Sequence, residues 1–165
     1  MAYLLDANVF IQARRRHYGF DFCPGFWEWI DRENSAGKVL SIEKVGDELL
    51  AGDDELSEWA ASRRAALFVA PDAPMLESLP RVSTWVRARS YSPVAVSGFF
   101  ELADYYLIGR ALAHGDTVVT HEVSEPNSIR KVKIPDVCIG LGIGCVNPFE
   151  MLRRERARFV LGAQL

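Results

Sequence analysis

Short apolar runs that alternate with longer helical segments constrain the fold of this chain more than any other feature. Tyr3 to Leu5, Val39 to Ile42 and Thr117 to Thr120 have the length and composition of buried strands. The strongest helical periodicity runs from Leu102 to His114, and Gly115 follows as a candidate C-cap. Alternating strands and helices are typical of a mainly parallel sheet. We therefore expect an α/β fold, a three-layer α/β/α sandwich.

Other segments give weaker predictions. A helix is expected from Pro74 to about Arg89, kinked or divided at Pro80. Ile134 to Val137 is expected to be ordered, and a last helix is expected from Pro148 to Arg158. The apolar neighbours of the tryptophans, at helical spacing, favour core packing over base stacking.

Length and composition limit the class of protein. The 165 residues, 49% hydrophobic and 25% charged, suit a single domain over residues 1–165. No apolar run approaches the ~20 residues of a membrane helix, and the start of the sequence lacks the pattern of a secretion signal. Three cysteines without a C-x-x-C pair favour a reducing cytoplasm, so we expect a cytoplasmic protein that has no membrane partner.

Four acidic residues lie where the strands of a parallel sheet are expected to end, which is where the active crevice of such a sheet opens. Asp6 follows the first strand directly, and Glu48 lies on the helix after the second. Asp104 begins the strong helix, and Glu122 comes shortly after Thr120. Clustered carboxylates repel one another unless a cation compensates their charge, and carboxylate oxygens suit Mg²⁺ or Mn²⁺. A metal-activated water attacking a phosphodiester is the chemistry that such a site favours.

Each of these acids also has a simpler interpretation. Asp6 is a good N-cap residue, Asp104 a favourable first-turn acid, and Glu122 an ordinary loop acid. Glu48 competes with Glu43 and Asp47 on one helix, and all three also suit a solvated helix face. Asn8 and Thr120 are candidates to hold a water, a metal-bound carboxylate or a substrate phosphate, or to satisfy local backbone groups. Local basic patches that an RNA backbone could use are Arg14 to Arg16, Arg130 to Lys133, and Arg153 to Arg158.

Four segments, in order along the chain, resemble the PIN-domain family of metal-dependent ribonucleases, which includes the VapC-like toxins of toxin–antitoxin pairs. They are Leu4 to Val9, Gly46 to Gly52, Ala103 to Ala113, and Val118 to Glu122. The resemblance implies that Asp6, Glu48, Asp104 and Glu122 are the catalytic metal ligands. It also implies Mg²⁺ or Mn²⁺ as cofactor, RNA as substrate with Asn8 and Thr120 near it, a cognate antitoxin, and a homodimer.

The sequence departs from the short toxin pattern in two ways. Glu122 stands where Asp is commoner, and Ile134 to Cys138 with Asn147 to Phe149 resemble an uncharacterised PIN-like branch. Asp136 is a candidate for a further acid at the site rim. A non-catalytic PIN-like module that binds nucleic acid or protein is therefore the alternative function. A haloacid-dehalogenase-like phosphatase is disfavoured, because it expects a second Asp where this chain has Asn8.

Overall fold

The computed structural model describes residues 1–162 and contains a five-stranded sheet. The strands are β1 (Tyr3–Leu5), β2 (Val39–Ile42), β3 (Phe68–Val69), β4 (Thr117–Val119) and β5 (Cys145–Val146). Their order in the sheet is β3-β2-β1-β4-β5, and every neighbouring pair is parallel. The predicted α/β/α architecture with a parallel sheet is confirmed.

Ten α-helices in residues 1–162 connect and flank these strands. They are α1 (Ala7–Gln12), α2 (Pro24–Ser35), α3 (Glu43–Leu50), α4 (Glu55–Ala61), α5 (Arg64–Leu67), α6 (Ala73–Arg87), α7 (Pro93–Glu101), α8 (Ala103–His114), α9 (Ile134–Leu141) and α10 (Pro148–Arg154). A π-helical turn, Ala13–His17, continues α1. Among the same residues, no helix is long and apolar enough to cross a membrane.

The strand order creates one reversal of direction, and it lies at the centre of the sheet. The chain steps outward from β1 to β2 and β3, then returns to place β4 on the opposite side of β1. Because crossovers between parallel strands are right-handed, the two halves carry their helices on opposite faces. The carboxyl ends of β1 and β4 therefore border the crevice where open parallel sheets bind their ligands.

The core is built from the central strands and an aromatic layer of α2 and α4. Leu4, Leu5, Val118 and Val119 are fully buried because both faces of a parallel sheet are covered. The packing role expected of the tryptophans is confirmed for three of them. These are Trp27, Trp29 and Trp59, all buried.

Local geometry changes three of the predicted boundaries. Helix α6 runs through Pro80 without a break, because Val82 and Val86 beyond the proline are buried in the core. Ile134 to Val137 belongs to a longer helix, α9, which ends where Gly142 adopts a left-handed conformation with φ of 71°. Helix α10 stops at Arg154 instead of Arg158, since Arg156 takes a φ of 54° that no right-handed helix accommodates.

Candidate active site

Asp6 lies at the carboxyl end of β1, beside β4, and its side chain is buried. The backbone N–H of Asp6 donates to the carbonyl of Val119 at 3.0 Å, which continues the strand pairing past the last residue of β1. One carboxylate oxygen, Oδ1, accepts from the N–H of Ala7 at 2.7 Å and so caps α1. The other, Oδ2, accepts from the hydroxyl of Thr120 at 2.8 Å. The N-cap role is therefore present, together with a tertiary contact that a cap does not need.

Thr120 and Asn8 form the support for this carboxylate. Thr120 is buried, and its hydroxyl accepts from the Asn8 side-chain amide at 3.0 Å and from the N–H of Glu122 at 3.1 Å. The Asn8 carbonyl oxygen accepts from the N–H of His121 at 3.0 Å. Of the roles considered for Thr120 and Asn8, these contacts favour the holding of a carboxylate. Direct binding of substrate by either residue stays a prediction.

Asp104 contributes a second carboxylate from the first turn of α8. The pKa of Asp104 is raised to about 6, mainly by burial and then by the negative charge of Glu122. Lys131 opposes the shift, and Glu48 adds a smaller increase. Burial, and then the charge of Asp104, raise the pKa of Asp6 to about 7. Because the charge of Asp104 raises the pKa of Asp6, the two carboxylates belong to one electrostatic site.

Glu48 reaches the same site from α3. The residue is exposed overall, yet burial of its carboxyl group raises its pKa, and its charge is felt at Asp104. The other candidates on this helix are Glu43, which is exposed at the first position of α3, and Asp47, which is exposed and pairs with Arg64. The fold thus brings Glu48 towards Asp104.

Glu122 completes the acidic group, but its carboxylate already has partners. Its Oε2 accepts from the N–H of Ile134, at the start of α9, at 2.8 Å, and its Oε1 forms an ion pair with the Lys131 ammonium at 3.1 Å. Only 13% of the Glu122 side chain is exposed, whereas 55% of the Lys131 side chain is. Glu122 therefore ties the loop after β4 to the beginning of α9.

The sequence did not reveal the role of Lys131, because this residue lies in a segment with the composition of an ordinary basic patch, Arg130 to Lys133. Burial opposes its protonation, but the hydrogen bond and charge of Glu122, followed by the charges of Asp104 and Asp6, raise its pKa. A positive charge is thus held beside the acids. The signal in the sequence is weak: a lysine nine positions after an acid that follows a strand.

Asp136 has hydrogen-bond partners of its own, none of them among the four acids. It is buried in α9, and its carboxylate accepts from the Ser124 hydroxyl and from the N–H of Glu125. Its observed contacts hold the loop between β4 and α9. They give no indication of the rim role considered from the sequence.

The donor set of the site suits a hard cation that keeps much of its water. Within residues 1–162, no three His, Cys, Asp or Glu side chains are close enough to enclose a metal ion. Mg²⁺ is usually held by one or two carboxylates, with waters and substrate phosphate completing its shell. Asp6, which is buried, and Asp104, which is partly buried, meet that requirement, because a cation would relieve the repulsion between them.

Comparison with known proteins gives a family and a fold. The sequence model of a domain of unknown function, DUF4411, matches residues 3–159. No curated protein matches the sequence. A crystal structure of VapBC2 from Rickettsia felis, bound to a DNA fragment from their promoter, contains a chain of the same fold. It superposes with a TM-score of 0.52 at 16% identity, covering 89% of this chain and 98% of its own. The fold is therefore PIN-like.

Proposed function

This chain belongs to the DUF4411 family, and we propose that it is a metal-dependent endoribonuclease that hydrolyses RNA phosphodiester bonds in the crevice between β1 and β4. The observation that carries the proposal is the buried carboxylate of Asp6, held at the end of β1 by Thr120 and Ala7, with Asp104 near enough for its charge to raise the pKa of Asp6. Holding a buried carboxylate near a second, partly buried one opposes folding, and such arrangements cluster at functional sites. The PIN-like fold and the position of the crevice support the same activity.

Asp6, Glu48, Asp104 and Glu122 would together supply the negative charge that holds one or two Mg²⁺ or Mn²⁺ ions, with waters completing the shell, since no three of these side chains enclose a single point. Bound there, the ion would lower the pKa of a water and neutralise charge on the phosphate. The carboxylates of Asp6 and Asp104 give the site its negative charge, and the Lys131 pair holds Glu122 at its edge.

The chain's own polar groups orient these acids. The Thr120 hydroxyl and the Ala7 N–H fix both oxygens of Asp6, so that carboxylate needs little reorganisation on binding. Lys131, half exposed beside the acids, is placed to contact a non-bridging phosphate oxygen of the substrate. RNA would approach this acidic protein through the local cationic surface formed by Arg16, Lys131 and Lys133.

We further propose that the chain is the toxin of a toxin–antitoxin pair and acts as a homodimer. The VapC-like motifs support this role, and so does the fold shared with a chain of VapBC2. A cognate antitoxin would cover the acidic crevice. Expression of the wild type should arrest growth, whereas Asp104→Asn should not, and sedimentation should give twice the mass of 18.5 kDa. Normal growth with intact wild-type protein would remove the toxin role.

The experiment for the activity itself compares the wild type with Asp6→Asn on tRNA, mRNA and single-stranded DNA, in Mn²⁺ or in EDTA. We expect cleavage of RNA that is lost in the variant and in the chelator. Asp47→Asn, at an exposed site on the same helix as Glu48, is the matched control and should cleave normally. Cleavage that persists in Asp6→Asn would overturn the mechanism.

Two observations favour the alternative, a non-catalytic binding module. Lys131 already compensates Glu122, and no three metal-binding side chains in residues 1–162 surround a single point. Titration calorimetry with Mn²⁺ separates the two functions, because the binding module would give no heat that depends on Asp104.

A further inference from the structure

Three aromatic rings from distant parts of the sequence meet beside the acidic site. The imidazoles of His17 and His121 stack, with ring centroids 5.4 Å apart and an interplanar angle of 26°. Phe149, from α10, packs edge-on against both, with centroid distances of 5.1 Å to His17 and 5.8 Å to His121. We call these three residues the ring cluster.

The ring cluster is fixed to the acids through the backbone. His121 lies between Thr120 and Glu122 in the sequence, and its N–H donates to the Asn8 side chain. His17 ends the π-helical turn that extends α1, the helix that Asp6 caps. The rings therefore hold a defined position relative to the carboxylates of Asp6 and Glu122.

Two clefts meet at this cluster, and their chemistry differs. The first, of about 420 Å³, contains His17 and the cationic side chains of Arg16, Lys131 and Lys133. The second, of about 470 Å³, contains Phe149 and two apolar residues that are unusually exposed, Val123 at 73% and Ile139 at 71%. His121 and Glu122 line both clefts. A ligand that passes from one cleft to the other crosses the ring cluster and the edge of the acidic site.

A cationic surface followed by an aromatic and apolar one matches the alternation of phosphates and bases along a nucleotide chain. Cationic side chains bind phosphates, whereas exposed ring faces and apolar side chains bind the faces of unpaired bases. A duplex has its base faces covered by stacking, so it cannot use the second surface. We propose that the ring cluster is a base-stacking subsite for an unpaired nucleotide next to the phosphodiester at the acids, with the neighbouring phosphate on Arg16 and Lys133. The inference rests on the proposed function, which makes a nucleic acid the ligand.

The test measures binding without cleavage, by fluorescence anisotropy in EDTA. The probes are a labelled eight-nucleotide RNA, the same length of abasic ribose phosphate, and an RNA duplex. His17→Ala should weaken binding of the single-stranded RNA about tenfold and leave the abasic chain nearly unaffected. His17 is exposed, so this change spares the core. His17→Tyr keeps a ring and should restore most of the binding.

A matched pair of variants separates the phosphate contact from the stacking contact. Arg16 lines the first cleft, whereas its exposed neighbour Arg15 does not. Arg16→Gln should weaken binding of the RNA and of the abasic chain equally. Arg15→Gln should leave the binding of both unchanged. His114→Ala, a histidine change on α8, should bind as the wild type does.

The outcomes also separate this inference from the proposed function. His17→Ala could weaken binding of the RNA and of the abasic chain equally, or weaken neither. Either result would overturn the stacking subsite, even if the protein cleaves RNA. Base-dependent binding by a protein that never cleaves would support the subsite and overturn the ribonuclease. Preference for the duplex would also overturn the subsite.

Discussion

The hydroxyl of Thr120 donates a hydrogen bond to the carboxylate of Asp6 at 2.8 Å, across 114 positions of sequence. The same hydroxyl oxygen accepts from the Asn8 side chain and from the N–H of Glu122. One buried side chain thus connects the end of β1, the first turn of α1 and the loop after β4. The position of the first acid depends on a residue outside its own motif.

Thr120→Val should therefore lower the free energy of unfolding by about 1–3 kcal/mol, because the change keeps the shape but removes the donor and the acceptor of a buried network. Urea unfolding measures the loss. Thr117→Val is the control, since Thr117 begins β4, the strand that Thr120 follows, and is half-buried. Equal stability of the two variants would show that the Thr120 network contributes little.

Stability of the metal-free protein should fall as pH rises. The folded-state pKa values of Asp6, about 7, and Asp104, about 6, lie above the ordinary 3.8 of an unfolded Asp. The folded state therefore holds protons that the unfolded state has released, and ionisation opposes folding. Thermal unfolding in EDTA should show a loss of about 2–4 kcal/mol between pH ~5 and ~8. Asp104→Asn should make stability depend less on pH. An unchanged slope of stability against pH in this variant would contradict the prediction.

Mn²⁺ should raise the melting temperature of the wild type at neutral pH, because a ligand that binds only the folded state stabilises it. At a concentration ~100 times its dissociation constant, the gain should be about 2.7 kcal/mol. The gain should vanish in Asp104→Asn and persist in Asp47→Asn, whose carboxylate pairs with Arg64 on the surface. A gain of equal size in all three proteins would place the ion elsewhere.

Lys131→Gln should increase the affinity for Mn²⁺ about two- to fivefold, since the variant no longer holds a competing positive charge next to Glu122. Lys131→Arg keeps the charge and should bind Mn²⁺ as the wild type does. Titration calorimetry gives both constants. Weaker binding by Lys131→Gln would mean that the lysine organises the acids instead of competing for them.

Gly140→Ala should destabilise the protein, because a Cβ at this position would lie 2.2 Å from the Trp85 indole, which packs directly on the glycine. We expect a loss of about 1–3 kcal/mol in chemical denaturation, typical of overpacking. Gly98→Ala, on α7 with open space around it, is the control and should be neutral or slightly stabilising. A neutral Gly140→Ala would mean that Trp85 moves freely.

The sequence alone was sufficient to predict the alternation of strands and helices. Hydrophobic periodicity depends on local backbone geometry, so α8, with its glycine cap at Gly115, was correctly placed. The same local patterns predicted that Asp6, Asp104 and Glu122 lie next to strand ends or at the start of a helix. Their roles as metal ligands stay predictions, as do the RNA, the antitoxin and the homodimer.

Only the tertiary structure decided which side chains meet. The pairing of β1 with β4 brings Thr120 to Asp6, and the packing of α9 beyond the loop gives Glu122 the N–H of Ile134 and the ammonium of Lys131. Sequence spacing cannot predict such contacts, because the positions are joined by strand order and by burial rather than by local periodicity. The raised pKa values of Asp6 and Asp104 have the same origin, since desolvation and repulsion arise when the folded chain brings the acids together.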